Sequence, residues 1–144
     1  MKKVVLTLMA IMSLQAHSYN GGWQLNQHGA LTMISTTGEL VLVIHSDKTI
    51  ELVKYNESCY KTKPEWGAIK LKVNGQFISF AQYCHTGVFN VTYGSVSDAA
   101  KDFIMNEFKT KNKVTIGTTE FSGKDFTAKL KEQQQYITDS QNAL

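Results

Sequence analysis

Ile69-Lys-Leu-Lys-Val-Asn74-Gly75-Gln-Phe-Ile-Ser-Phe80 is two alternating runs joined at one dipeptide. Asn-Gly favours a type I′ turn because both residues tolerate positive φ. Folding about it pairs Val73 with Gln76, Leu71 with Ile78 and Ile69 with Phe80, and cross-strand partners share a face. One face then carries Ile69, Leu71, Val73, Ile78 and Phe80, a core face. The other carries Trp66, Lys70, Lys72, Phe77, Ser79 and Tyr83. Aromatics on this mixed face read either as packing under another layer or as anchors for a partner, a role common to Trp and Tyr.

Upstream, Glu39 to His45 is a run of β-branched and apolar residues behind the turn signal Thr37-Gly38. Thr49 to Tyr55 alternates, with Ile50 and Leu52 on one face. His45 to Lys48 connects the two, and Asp47 suits a turn. Leu25 and Ala30 to Ile34 offer weaker strands around His28-Gly29. Downstream, Phe89, Val91 and Tyr93 alternate, and Gly94-Ser95 is expected to break that strand.

The last third changes period. Ser97 can cap a helix whose first turn holds Asp98, where the macrodipole favours an acid. Ala100, Phe103, Ile104 and Phe108 form one apolar helical stripe. Lys109, Lys111 and Lys113 cluster where that helix should stop. Val114 and Ile116 alternate in a short strand. Ser122 reads as a second cap, with Phe126, Leu130 and Ile137 giving a weaker amphipathic helix from about Gly123. Asp139 to Leu144 is polar. Strands followed by helix, strand and helix predict an α+β domain: a largely antiparallel sheet with two helices in the C-terminal third.

Met1-Lys2-Lys3, the apolar run Val4 to Leu14, and small residues at Ala16 and Ser18 read as a secretory signal with a cut before Tyr19. The run is shorter than the roughly 20 residues of a membrane span. The expectation is a signal peptide over 1–18 and a single domain over 19–144, exported to the periplasm and not inserted in a membrane. All 15 basic side chains are Lys, against 12 acids. Two of the lysines fall in the leader, so the mature chain carries 13 against 12, a net of +1. Without Arg or a basic excess, nucleic acid is not an expected partner. Cys59 and Cys84, an even count in an exported chain, predict a disulfide.

Catalytic patterns are sparse. There is no Gly-x-Ser-x-Gly, His-Glu-x-x-His or phosphate loop. His28, His45 and His85 are well separated and read as surface or hydrogen-bonded histidines. Asp98/Asp102 and Asp125/Glu132 read as helix-surface charge. No catalytic residue, metal or cofactor is expected. Two classes remain: an exported binding or inhibitor protein, and a small enzyme whose groups converge only in the fold. The missing motif favours the first.

The opening Met1-Lys-Lys-Val-Val-Leu-Thr-Leu-Met9, the cut before Tyr19, the Cys59/Cys84 pair and the α+β order together resemble a periplasmic immunity protein of a bacterial type VI secretion system. The resemblance is one of whole-chain profile and carries no diagnostic motif. It implies a non-enzymatic protein that blocks the groove of a peptidoglycan-cleaving, lysozyme-like effector. Phe121-Ser-Gly-Lys-Asp-Phe126 is similar to the end of exported β-sandwich proteins of the invasion-associated locus B type, over the last third only. For an inhibitor, the expected partner edge is Tyr60 to Trp66 with the turn His45 to Lys48. Tyr60 and Trp66 would be aromatic anchors, Lys61 and Lys63 would face acidic groups, and His45, Asp47 and Lys48 would flank them. Cys59 and Pro64 would restrain that loop. The Asn74-Gly75 tip is the next candidate. A homodimer is left open.

Overall fold

The structure, a computed structural model, describes residues 22–56, 59, 66–84, 90–95 and 97–143, with Trp66 described by its backbone alone. The leader expected over 1–18 lies outside them, as do His85 and Phe89.

The strands are β1 (Gln24–Leu25), β2 (Leu31–Ile34), β3 (Leu40–Ile44), β4 (Ile50–Tyr55), β5 (Trp66–Val73), β6 (Gln76–Cys84), β7 (Asn90–Ser95), β8 (Lys113–Ile116) and β9 (Thr119–Ser122). The helices are α1 (Asp98–Thr110) and α2 (Phe126–Gln141). The strands form one nine-stranded antiparallel sheet in the order β1-β2-β3-β4-β7-β6-β5-β8-β9. α1 and α2 lie in the C-terminal part, and Cys59 is bonded to Cys84 with their Cα atoms 5.2 Å apart. The α+β expectation and its disulfide are therefore met.

The hairpin has the register its alternation predicts, with Val73 opposite Gln76, Leu71 opposite Ile78 and Ile69 opposite Phe80. Asn74 and Gly75 both take positive φ, 45° and 92°. Both polar atoms of the Asn74 side chain are engaged: Nδ2 donates to Glu107 Oε2 at 2.6 Å, and Oδ1 accepts from the Thr115 amide at 2.8 Å. The tip is thus tied to α1 and β8.

The sheet curls until its two ends meet, in line with the inherent twist of strands. The Thr36 amide donates to the Glu120 carbonyl at 3.0 Å, joining the end of β2 to β9. Trp23 Nε1 donates to the Ser122 carbonyl at 3.0 Å. The helices cover the concave face. α1 buries Ala100, Ile104, Met105 and Phe108 in the same core as Leu42, Leu52 and Phe80. Phe103, expected in the apolar stripe, is only partly buried, and Met105 takes a core position instead. Ser97 caps α1 as expected, its Oγ accepting from the Ala100 amide at 3.1 Å.

Several expectations need correction. Gly94 and Ser95 do not break β7 but form its last two residues. They pair with Ala81 and Phe80, because the long β6 offers a ladder that outweighs weak local propensity. Ser122 closes strand β9, which the residue pattern did not reveal. Its Oγ accepts from the Lys124 amide, and α2 begins after Asp125, whose φ of 62° leaves its side chain without a capping bond. On α2, the polar Gln133 is 2% exposed. Its Nε2 donates to the carbonyls of Gly29 and Ile44, each at 2.9 Å. An amide with two backbone acceptors can sit in a core that an unpaired one could not.

Gly123 packs against the C-terminal end of α1, just before the start of α2. Its amide donates to Asn112 O at 2.8 Å. A Cβ there would overlap the Lys111 carbonyl oxygen, and that backbone atom cannot swing aside. Gly123→Ala should therefore cost about 2–3 kcal/mol or more through forced backbone movement. Urea titration checks this. Gly38→Ala, where a Cβ would meet nothing within 4 Å but φ is 77°, separates overlap from conformational strain.

Candidate functional site

The convex face of the sheet carries the polar and aromatic side chains that a ligand or partner could meet. Alternation and register generate it. One row runs Ile34, Val41, Val53, Thr92, Tyr83 across five strands. The next runs Thr32, Val43, Glu51, Gly94, Ala81, Ala68. Beyond them Lys70 faces Ser79 and Lys72 faces Phe77 on the hairpin. Among the described residues, two of the three exposed large apolar side chains lie on this face, Tyr55 at 61% and Phe77 at 59%.

At its centre three titratable groups meet. His45 Nε2 lies 3.1 Å from Glu51 Oε2, and Tyr83 OH donates to Glu51 Oε1 at 2.9 Å. A carboxylate only accepts, so the His45 ring presents an N–H to it. Glu51 thus ties the residue after β3 and the C-terminal end of β6 to β4, across β7. Burial first, then the hydrogen bond and charge of Glu51, raise the Tyr83 phenol above 10.0. The phenol of the folded chain therefore stays neutral further into alkali. Its contribution to stability is complete below the unfolded value near 10 and is lost as pH rises through the folded value. Tyrosinate absorbance on raising pH should show one late-titrating tyrosine that moves back toward the others in Glu51→Gln. No such shift would remove Glu51 as its partner.

The expected edge is described only in part. Tyr60, Lys61 and Lys63 lie outside the described residues. The backbone of Trp66 sits opposite Tyr83. The His45–Lys48 turn is formed as expected: the Lys48 amide donates to His45 O, and Lys48 takes φ 67°. Asp47 Oδ1 accepts from the Thr49 amide at 2.8 Å, and that bond chiefly holds its carboxyl below the usual range. Asp47 and Lys48 are exposed, while His45 turns onto the convex face. His28 is an exposed surface histidine. The residue pattern did not single out Glu51. The alternation of Thr49 to Tyr55 places it opposite the buried face, but its meeting with Tyr83 depends on strand order.

Beside the hairpin, a cleft of about 420 Å³ is lined by Gln76, Phe77, Ile78, Ser97, Ala100 and Phe103. The Lys72 ammonium lies 5.0 Å from the centre of the Phe77 ring, a cation–π geometry. Among the described residues no group of three His, Cys, Asp or Glu is placed to hold a metal ion. Among them, too, no helix is long and apolar enough to cross a membrane. No protein-family model matches this chain, and no curated protein or solved structure matches it.

Proposed function

We propose that this chain is a periplasmic inhibitor of the immunity-protein kind, which binds a peptidoglycan-cleaving effector and blocks its catalytic groove. The observation that carries this reading is the outer face of the β5–β6 hairpin. Phe77 stands exposed there beside Lys70 and Lys72, on a tip tied down by both polar ends of Asn74. A tip already ordered loses little entropy on binding. Phe77 offers an aromatic anchor. Lysines complement a groove whose chemistry requires two carboxylates. His45, at the start of the 45–48 turn, lies on the same face and extends the surface, and residues 60–66 remain part of the proposed edge. The disulfide agrees with export.

The test is capture from periplasm with the chain from residue 19, followed by a peptidoglycan-hydrolysis assay on the captured protein. Stoichiometric addition should stop hydrolysis. Phe77→Ser with Lys70→Glu should weaken binding by about tenfold or more, roughly 1.4 kcal/mol, with unfolding unchanged. Undiminished hydrolysis at saturating inhibitor defeats the proposal. The enzyme alternative centres on His45, Glu51 and Tyr83, which converge in the fold. Turnover by the purified chain that disappears in Glu51→Gln would replace the inhibitor reading.

A further inference from the structure

Among the described residues, one long sheet edge is open. β5 pairs with β6 along its whole length, from Trp66 opposite Tyr83 to Val73 opposite Gln76. On its other side only Val73 pairs, with Ile116 of β8. Two further bonds extend that seam: Gly117 N donates to Lys72 O at 2.8 Å, and Asn74 N to Thr115 O at 2.9 Å. The chain then turns away at Gly117, whose φ is 63°. No described strand lies against Trp66 to Leu71 on this side.

In an antiparallel ladder the N–H and C=O of one residue point the same way, and alternate residues point to opposite neighbours. The Lys72 carbonyl points toward β8, so the backbone groups of Lys70 and Ala68 point to that side too. Gly67, Ala68 and Lys70 are exposed. The small side chains at 67 and 68 leave room for an approaching backbone. The other sheet margins are closed or short. β1 is two residues long, and β9 is bonded to Thr36 and Trp23.

We propose that this edge binds an extended acidic segment of a partner protein as an added antiparallel strand, through the backbone groups of Ala68 and Lys70. Charge selects the occupant. Lys70 and Lys72 lie along the edge on the convex face, and among the described residues neither is in an ion pair. Lysine on an edge discourages pairing with a like edge, so a second copy of this chain is disfavoured. The same lysines favour a strand with Asp or Glu at every second position. Backbone bonds supply affinity and the lysines supply choice, as in other strand-addition complexes. The inference goes beyond the inhibitor reading and does not depend on it, since any partner with such a segment fits.

Blocked peptides of about eight residues, a common strand length, provide the probe. They share a threonine–valine scaffold with Glu, Gln or Lys at every second position. Amide exchange in the chain from residue 19 is followed residue by residue. In the free chain the Ile69 and Leu71 amides, which face β6, should be protected, and those of Ala68 and Lys70 should exchange fast. The Glu peptide should slow exchange at Ala68 and Lys70 and bind about tenfold or more tighter than the Lys peptide at low salt, with the gap narrowing as salt rises. Ala68→Pro removes an edge N–H while sparing the β6 side, and should abolish binding. Lys70→Glu with Lys72→Glu should reverse the preference, which keeps the test decisive should the proline variant misfold. Protection at Ala68 and Lys70 already present in the free chain would overturn the proposal, with sedimentation telling a second copy from the chain's own segments. So would an equal response to all three peptides, or none to the Glu peptide.

Discussion

Phe108→Ala should destabilise the chain by about 3–5 kcal/mol, the usual cost of truncating a buried phenylalanine. Phe108 is 1% exposed on the inner face of α1. Trp23 meets it edge-on with ring centroids 5.1 Å apart, and Phe126 lies at 5.5 Å. Trp23 and Phe126 are themselves 4.8 Å apart. These rings come from the segment before β1, from α1 and from the start of α2, where the two ends of the sheet meet. The cavity would open at the seam that the Trp23–Ser122 bond closes. No single segment can move in to fill it. Urea unfolding of Phe108→Ala beside Phe77→Ala, whose ring is exposed, measures this. A loss at Phe108 no larger than at Phe77 would mean the seam collapses freely and the cluster is not the keystone of closure.

Removing the Cys59–Cys84 disulfide should cost about 3.5 kcal/mol in the chain-entropy model. The bonded residues are separated by 25 in sequence. Cys59 is fully buried and follows β4, and Cys84 ends β6. In the sheet β7 lies between these strands, so the bond straps two non-adjacent strands across a third. A loss of that size should lower the melting temperature by roughly 10–15 °C for a domain of this length. Cys59→Ser with Cys84→Ser should match the effect of reductant on the unaltered chain. A drop of only a degree or two would show that the core alone confines the unfolded ensemble's rivals, and that the bond adds little.

The candidate site was legible to the extent that its residues share a strand or a hairpin. Lys70, Lys72, Phe77 and Tyr83 were assigned to one face because the Asn74-Gly75 turn sets the register of everything on either side of it. The turn at His45 to Lys48 was legible for the same reason, since Asp47 binds a backbone amide only two residues on. Glu51 was not. Its partner Tyr83 is 32 residues away, and β7 lies between β4 and β6. The open edge of β5 was hidden too. It exists because β8 pairs with β5 only at its end, and nothing in Lys113 to Ile116 sets that offset.

Elements whose defining bonds span a few residues could be read directly from the chain. They include the hairpin, the Ser97 cap and the alternation of β3 and β4. Short-range geometry leaves those residues few other ways to satisfy their backbone groups. Elsewhere long-range pairing decided the outcome. Gly94 and Ser95 extend a strand because Ala81 and Phe80 stand opposite. Thr119 to Ser122 is a strand because β8 and the end of β2 complete its hydrogen bonds. Gln133 is buried because two carbonyls distant in sequence, those of Gly29 and Ile44, meet it. In each case the free energy comes from a neighbour that exists only once the strands and helices have assembled, and local propensity is too weak to anticipate it.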